Sequence, residues 1–468
     1  YSLAEEHSEN GISNNSNNSN TAPLASTSLL PQKNNKSSSS VLHDPFYKIE
    51  SMNYFLPISL VYCAICKVTL SLLKFLFPFL VRDVMSPREL RPEERFVIPS
   101  SPSSISNDTN DSDRHVAIVT GSNTGLGFET ASSLVELGYV VILACRNRGK
   151  GEEAAAKINA RNNQKTSSTV EGGKQQGRAL FLHPLDLSSM ESVRSFAEVF
   201  TSEYNHLNIL VNNAGLQGQS KTADGMDACF QTNFIGHYLL TRILLPHLLK
   251  ARNTFPSKEG GIAGNGTEAG RVVNLSSATH HFASPNTERA EGATMSGAHD
   301  EDFWRGCATP FVSGNTYAES KFAMILFTQV LNEKFGSQGL RAVSCDPGSV
   351  SSDMWRGAPP MVLKIIDMLM LSTKQGSSTS LASAVGDLPK DALFLQPYWQ
   401  PGKCKVLSNS KAMPWLWYPR PNPITEMSGI YVGFAVTDCR LPPSPESRYA
   451  LWNVCEELVG LKTKETLK

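Results

Sequence analysis

The sequence has no excess charge of either sign: 43 Lys and Arg balance 43 Asp and Glu. No overall field therefore gathers nucleic acid or an acidic membrane, and any recognition is local. Charge is also scarce, at 18% of residues against 40% hydrophobic, which gives enough apolar material for a sizeable core and too little for a polytopic membrane protein. A disulfide framework is missing. The nine cysteines, at 63, 66, 145, 229, 307, 345, 404, 439 and 455, are odd in number and scattered, which fits reduced thiols. Cys63 and Cys66 have zinc-like spacing but lie in an apolar run with no second ligand pair, so they read as small hydrophobes. No internal repeat is found. At 468 residues the chain exceeds the roughly 100–200 of one ordinary domain, so one large domain with appendages, or two domains, is expected.

What the sequence does contain falls into blocks. Residues 1–43 are dominated by Ser and Asn (GISNNSNNSNTAPLASTSLLPQKNNKSSSS), a composition that cannot bury enough surface to offset the entropy of ordering it. Residues 1–51 are therefore expected to be disordered; the first residue is Tyr1, and Met52 offers an alternative start. Tyr54 to Val81 forms an apolar run about long enough to cross a hydrocarbon core of ~30 Å as a helix. Lys67 and Lys74 share one helical face, as on a helix lying at the headgroup surface, and Pro57 and Pro78 trim the ends. Residues 52–82 are accordingly read as a membrane anchor, spanning or interfacial, with a helix buried against the following domain or a cleaved signal as the other readings. Arg82, Arg88, Arg91 and Arg95 are offset by Asp83, Glu89, Glu93 and Glu94. The positive-inside rule counts Lys and Arg alone and places residue 82 onward in the cytoplasm. Residues 83–113 are a linker that ends in the Ser, Pro and Asp run IPSSPSSISNDTNDSD.

From residue 114 the pattern alternates. The apolar run His115–Thr120, a glycine-rich turn, helical spacing over Glu129–Leu137 and a second apolar run Tyr139–Cys145 read as strand, helix, strand. Strands are expected near Ala179–Leu182, Leu207–Val211, Arg271–Leu275 and Leu340–Cys345, and helices near Met190–Phe200, Met226–Leu249 and Tyr317–Phe335. Strands joined by helices predict an α/β fold with a doubly wound parallel sheet covered on both faces. Residues 114–468 are taken as a single domain, with polar insertions near 162–177 and 252–269.

The turn after the first strand is Gly121-Ser122-Asn123-Thr124-Gly125-Leu126-Gly127. Glycines there let the backbone approach a pyrophosphate, whose charge the following helix N-terminus favours, although such turns also serve simple geometry. Where a dinucleotide fold places an Asp or Glu for the ribose of NAD, this chain has Cys145-Arg146-Asn147. Arg146 suits the 2′-phosphate of NADP and no carboxylate repels it, so NADP(H) is expected over NAD(H); a solvated arginine at a strand end is the plainer reading. Tyr317 and Lys321 stand at i and i+4, so phenol and ammonium project from one helical face. A nearby cation lowers a phenol pKa from its ordinary ~10 and yields a usable acid/base; two exposed residues of a surface helix would look the same. His280 and His281 have no third ligand in sequence and read as loop histidines, so no metal site is expected.

Taken together, these residues resemble the short-chain dehydrogenase/reductases. TGSNTGLG, Asn212-Asn213-Ala214-Gly215, Ser277 after VVNLS, YAESK and Asp346-Pro347-Gly348-Ser349-Val350 occur in that family's order. ILACRNRGKGEEAA, HPLDLSS, FQTNFIGHYLLT, SSATHHFA, AESKFAMILFTQ and RYALWNVCEELVG look like its retinol dehydrogenase branch, and the resemblance covers about 114–357, 372–395 and 430–462. It implies a Rossmann-type fold, Ser277 orienting a carbonyl and Tyr317 donating the proton. It also implies that Lys321 tunes Tyr317 and holds the ribose, and that Asn233 keeps a water on Lys321. On the cofactor side, the resemblance implies Asp186 at the adenine, Asn213, and the run Pro347, Gly348, Val350 and Ser352, the last standing where the family has a threonine hydroxyl for the nicotinamide amide.

The chain departs from the family pattern in two long segments. The 40-residue interval from Ser277 to Tyr317 suggests an extra flap at 282–314. Gln396–Met427 is an aromatic and Pro-rich insertion, either a lid or membrane-facing patch or a packed surface loop. The expected protein is a membrane-associated, NADP(H)-dependent enzyme interconverting a carbonyl and an alcohol on a lipophilic substrate of retinoid, steroid or aldehyde type. Its expected setting is the endoplasmic reticulum with the catalytic domain cytoplasmic, and its oligomeric state is open. Two rivals remain: a protochlorophyllide reductase-like enzyme, which shares the Ala144-Cys145-Arg146 segment and the Tyr-Lys pair, and a non-catalytic dinucleotide-binding scaffold, against which the intact set Asn233, Ser277, Tyr317 and Lys321 counts.

Overall fold

The computed structural model describes residues 114–167, 176–251, 268–283, 299–355, 357–386, 388, 392–397, 404–408 and 445–461. The expected disordered segment 1–51, the anchor candidate 52–82 with Cys63 and Cys66, and the linker 83–113 lie outside them, as do 168–175, 252–267, 284–298, 398–403 and 409–427 of the four insertions. Among the described residues no helix is long and apolar enough to cross a membrane.

The strands are β1 (Val116–Thr120), β2 (Val140–Ala144), β3 (Arg178–Leu180), β4 (Ile209–Asn212), β5 (Arg271–Leu275), β6 (Arg341–Cys345), β7 (Ala392–Pro397) and β8 (Cys404–Ser408). The helices are α1 (Gly125–Glu136), α2 (Arg148–Ser167), α3 (Met190–Glu203), α4 (Gly236–Lys250), α5 (Glu301–Ala308), α6 (Thr316–Phe335), α7 (Pro360–Leu369), α8 (Thr373–Val385) and α9 (Pro445–Leu458). The sheet order is β3-β2-β1-β4-β5-β6-β7-β8. The first seven strands are parallel, and β8 returns antiparallel beside β7. This is the doubly wound α/β sheet expected from the sequence. Strand order reverses between β1 and β4, so the loops leaving them part and open a crevice at the strands' C-terminal ends.

β1 and β2 are buried along their whole lengths, as parallel strands covered on both faces must be. Val116 and Ile118 enter one core while Ala117 and Val119 enter the other, because successive side chains of a strand point to opposite faces. Residues of α3, α4, α6 and α9 fill the first core, and residues of α1, α2 and α8 the second. α9 is fastened from the far end of the sequence: the Tyr238 hydroxyl donates to Glu456, Arg242 Nε donates to Glu456 Oε1 at 2.9 Å, and the Arg242 guanidinium lies 4.7 Å from the Trp452 ring centroid.

Four boundaries differ from expectation. α2 runs on through 162–167, within the expected insertion 162–177, because a run of polar residues reads as loop when periodicity is weak. The expected helix from Met226 is interrupted: a single turn at Ala228–Phe230 passes into a π turn at Gln231–Ile235 before α4. The expected flap 282–314 contains α5, whose Phe303 and Trp304 are wholly buried, so this part is core rather than a loose cover. The boundary at Gln396 falls inside β7, and 404–408 forms β8; the prolines of the segment from Gln396 read as loop and mask both.

Candidate active site

The sheet brings the expected cofactor residues to one edge. α1 begins at Gly125 with no side-chain cap and no acidic residue in its first turn, so its first N–H groups are open to an anion. A Cβ on Gly127 would lie 2.5 Å from both Gly121 O and Asn213 Nδ2, so the loop closes on itself only without a side chain there. Ser122 is buried, Asn123, Gly121 and Leu126 are half-buried, and Thr124 is exposed. These residues fit the pyrophosphate of a dinucleotide. At the far end of the crevice Arg146 is 71% exposed with Nη1 4.0 Å from Asp186 Oδ2, so the structure brings these two expected residues together. Asp186 Oδ1 is engaged by the Ser188 amide at 2.9 Å and by the Ser188 hydroxyl at 2.6 Å.

After β6, Asp346 accepts from Gly348 N at 3.0 Å and Ala278 N at 3.2 Å, folding Pro347-Gly348 back toward the Ser277 segment. A Cβ on Gly376 of α8 would meet Val350 Cγ2 at 2.4 Å and Leu126 Cδ2 at 2.9 Å, so α8 seats against both the first loop and the one after β6. Ser352 stands two residues beyond Val350, half-buried, its carbonyl accepting from Trp355 N at 3.1 Å.

The expected catalytic residues meet where β5, α6 and the π turn converge. Ser277 follows β5 and Tyr317 lies in the first turn of α6, and the Ser277 hydroxyl is near enough to the phenol to bear on its ionisation. Lys321 is buried one turn on; its Nζ donates to Leu275 O at 3.0 Å and stands 5.5 Å from the Tyr317 ring centroid. Ser276 Oγ donates to Lys321 O at 2.8 Å and fixes that turn of helix. Asn233 sits inside the π turn, a feature frequent at functional sites. Its side chain grips Leu216 at both backbone groups, accepting from N at 2.8 Å and donating to O at 3.0 Å, and reaches Ser320 Oγ at 3.1 Å.

The electrostatics reverse one expectation. Burial pushes the Tyr317 phenol above its ordinary value, Cys229 and Asp346 add to the shift, and hydrogen bonds from Ser277 and Gln217 oppose it. The sequence predicts a phenol lowered by Lys321. In the polypeptide alone desolvation wins, because the ammonium faces the ring and spends a proton on Leu275 O. Lys321 is itself lowered to about 8, chiefly by burial. His280 is buried, its Nδ1 2.6 Å from Ser277 O. Among the described residues no three His, Cys, Asp or Glu side chains are grouped to hold a metal.

Several residues of the site carry no signal that the sequence alone makes plain. Thr120 Oγ1 accepts from Asn213 N and Ala214 N, both at 2.9 Å, which uses both its lone pairs. Its proton then has its shorter outlet at His237 Nε2, 2.8 Å away, so the ring proton sits on Nδ1 and is donated to Asn233 O at 3.0 Å. His237 is wholly buried, which pushes its pKa down to about 3 and keeps it neutral. The signal available in sequence was its i+4 spacing from Asn233. Asn212, Asn274, Thr328 and Ser344 form a second buried polar chain, with steps of 2.8, 2.8 and 2.6 Å. A polar residue inside an apolar strand such as Arg271–Leu275 demands such a partner. Gln217 and Met354, the latter with Sδ 3.9 Å from the Tyr317 hydroxyl, carried no motif.

A doubly wound sheet with a glycine loop at its switch point and a Ser-Tyr-Lys cluster beside it defines a dinucleotide-dependent oxidoreductase. The family model described as short chain dehydrogenase matches residues 115–288. Retinol dehydrogenase 11 of Mus musculus is 36% identical over 274 residues, 58% of this chain and 73% of that protein. Polyprenol dehydrogenase of Homo sapiens is 34% identical over 278 residues, 58% and 72% of the two chains. A short-chain dehydrogenase/reductase of Armillaria gallica is 31% identical over 326 residues, 68% of this chain and 92% of that protein. The chain belongs to the short-chain dehydrogenase/reductase family, in its retinol dehydrogenase-like branch.

Proposed function

We propose that this chain interconverts a carbonyl and an alcohol on a lipophilic substrate of retinoid, steroid or aldehyde type, with NADP(H) as cofactor and Tyr317 as the acid/base. The observation that carries the reading is the convergence of Ser277, Tyr317 and buried Lys321 at the end of β5, where Lys321 Nζ bonds Leu275 O at 3.0 Å and stands 5.5 Å from the Tyr317 ring centroid. A bound nicotinamide supplies or accepts the hydride. Ser277 and Tyr317 hold the substrate oxygen between two hydroxyls; Tyr317 gives its proton in reduction, and its phenolate takes the alcohol proton in oxidation. Lys321, seated on Leu275 O, holds the ribose, and Asn233 supports that side of the site. Gly121–Gly127 and the start of α1 would hold the pyrophosphate, and Asn213, Asp186, Pro347, Gly348, Val350 and Ser352 would complete the cofactor side.

The NADP(H) preference is supported by Arg146 and the absence of a carboxylate among residues 145–147. At 71% exposed and 4.0 Å from Asp186, the Arg146 ion pair is weak enough to yield to a phosphate. The lipophilic substrate is supported by the names of retinol and polyprenol dehydrogenases among the relatives. Nicotinamide absorbance, followed with purified chain and NADPH or NADH against retinoids, steroids, aliphatic aldehydes and quinones, tests this. NADPH is consumed with at least one lipophilic carbonyl if the reading holds; no consumption with any of them overturns it.

The run Tyr54–Val81 supports a membrane anchor in a four-part chain of 1–51, 52–82, 83–113 and 114–468, with the catalytic domain on the cytoplasmic face of the endoplasmic reticulum. The full chain then sediments with membranes while a chain beginning at Ser100 is soluble and active. Release by carbonate excludes a spanning helix, and full chain that stays soluble without detergent removes both anchor forms.

A further inference from the structure

A buried hydroxyl and a buried imidazole stand between the cofactor loop and the catalytic turn. Thr120 ends β1 just before Gly121; its Oγ1 accepts from Asn213 N and Ala214 N, both at 2.9 Å, and its carbonyl accepts from Asn213 Nδ2 at 2.7 Å. One residue thus seats the loops that leave β1 and β4. His237, in the first turn of α4, has Nε2 2.8 Å from Thr120 Oγ1 and Nδ1 3.0 Å from Asn233 O.

The direction of both bonds follows from the neighbours. With the two Thr120 lone pairs taken, its proton goes to Nε2 at 2.8 Å rather than to Val211 O at 3.3 Å. The ring proton then sits on Nδ1 and is donated to Asn233 O. Asn233 lies in the π turn, where the Gly236 amide bonds Gln231 O, five residues back. The regular helical ladder is broken there, and His237 adds a side-chain donor at the break.

From Asn233 the contacts run on to the helix of the catalytic pair. Asn233 Nδ2 donates to Ser320 Oγ at 3.1 Å, and Ser320 Oγ donates to Tyr317 O at 2.7 Å, in the turn that ends at Lys321. Thr120, His237, Asn233 and Ser320 are all buried, so a group deprived of its partner there bears its desolvation cost. An imidazole presents an acceptor and a donor on one rigid ring, whereas Asn and Gln carry theirs at the end of a flexible stem. An apolar side chain of the same size would fill the space and bond neither end.

We infer that His237 is a positioning residue that ties the cofactor loops, through Thr120, to Asn233 and the turn of helix bearing Tyr317 and Lys321. The inference rests on the reading of Asn233, Tyr317 and Lys321 as the catalytic side of the crevice, and adds what holds the two sides in register.

Two substitutions cut the link at opposite ends. His237→Gln places an oxygen near Nε2 for Thr120 and leaves Asn233 O without its donor. His237→Asn places an amide nitrogen near Nδ1 for Asn233 O and leaves the Thr120 proton without its acceptor. NADP⁺ affinity is measured by fluorescence titration of the full chain, and kcat by all-trans-retinol oxidation at saturating NADP⁺. His237→Gln lowers kcat more than it weakens NADP⁺ binding, and His237→Asn does the reverse. The larger change in each is about 2- to 10-fold, the worth of one neutral hydrogen bond. His237→Phe keeps a ring and neither bond, and shows both losses. A role in folding alone moves the two quantities together. Parallel changes in His237→Gln and His237→Asn, a reversed order, or no change overturn the inference.

Amide hydrogen exchange of the unaltered chain gives a second measurement, which no folding defect obscures. 2′-Phospho-ADP fills the nucleotide side and has no nicotinamide ribose to reach Lys321; once bound, it slows exchange over residues 231–237. Exchange there that keeps the rate of the free chain overturns the inference. If instead Tyr317→Phe oxidises retinol at the wild-type rate, the acid/base reading fails, while NADP⁺ binding and amide exchange still test His237.

Discussion

The crevice has two flanks built by different rules. The nucleotide flank, from Thr120 through Gly127, with Asn213 and Pro347-Gly348, is made of backbone: Gly127 has no room for a Cβ, Asn213 bonds Thr120 O at 2.7 Å, and Gly348 N caps Asp346. The other flank, made of α5 and α9, is made of side chains. Phe303 and Trp304 pack into the first core, Arg305 holds Glu457 of α9 at 2.5 Å, and Trp452 stands edge-on to Tyr238 at 5.3 Å. Backbone turns tolerate few residue types, so they leave short motifs at fixed spacing. Packing accepts many side chains of suitable volume and leaves none.

That contrast orders the expected effects of substitution. The largest falls at the meeting point of the two flanks. Tyr317→Phe keeps the ring and removes the proton, so turnover falls about 10²–10⁴-fold while cofactor affinity, measured by fluorescence titration, is unchanged. Trp452→Ala removes a ring buried against Tyr238, Phe327 and Phe335. Unfolding in urea should show a loss of about 3–5 kcal/mol. A loss under ~1 kcal/mol would mean that α9 is a passenger and the second flank is not held by packing.

Two smaller effects probe the nucleotide flank. Lys321→Ala removes an ammonium from the ribose side, so turnover and cofactor affinity decline together, each by about 10-fold or more. Arg146→Ala lowers the NADPH over NADH binding preference by roughly 10- to 150-fold, the worth of a charge-assisted contact of ~1.5–3 kcal/mol. Equal affinity for the two cofactors in the unaltered chain would remove the NADP(H) assignment.

The same contrast explains which parts of the molecule are legible in the sequence. The strands β1, β2, β5 and β6 and the helix carrying Tyr317 are legible because apolar runs bounded by turns specify them. The cofactor loop is legible because its glycines are obligatory. α5 is hidden in a segment that reads as flap, since an amphipathic helix of eight residues gives little periodicity. β7 and β8 are hidden because they border or lie in a segment whose prolines and aromatics read as a loop. Within the site, Tyr317 and Lys321 are recognisable by spacing and Ser277 by the family resemblance of VVNLS, but the direction of the phenol shift is not. Sequence places Lys321 on the face of Tyr317 but does not show that its Nζ turns to Leu275 O. His237 acts through a contact made across the fold, to Thr120, and no local pattern encodes it.

Under the proposed mechanism Tyr317 carries the proton exchanged with the substrate oxygen. The direct test is the pH dependence of the first turnover of alcohol oxidation with NADP⁺ in wild type and Tyr317→Phe, with all-trans-retinol as the probe. Because phenolate is the active form in that direction, the wild-type rate rises with pH through one ionisation. This ionisation is expected to be absent from the residual rate of Tyr317→Phe, which raising the pH does not restore. A Tyr317→Phe rate near that of wild type, rising through the same ionisation, would contradict it and leave the tyrosine a packing residue.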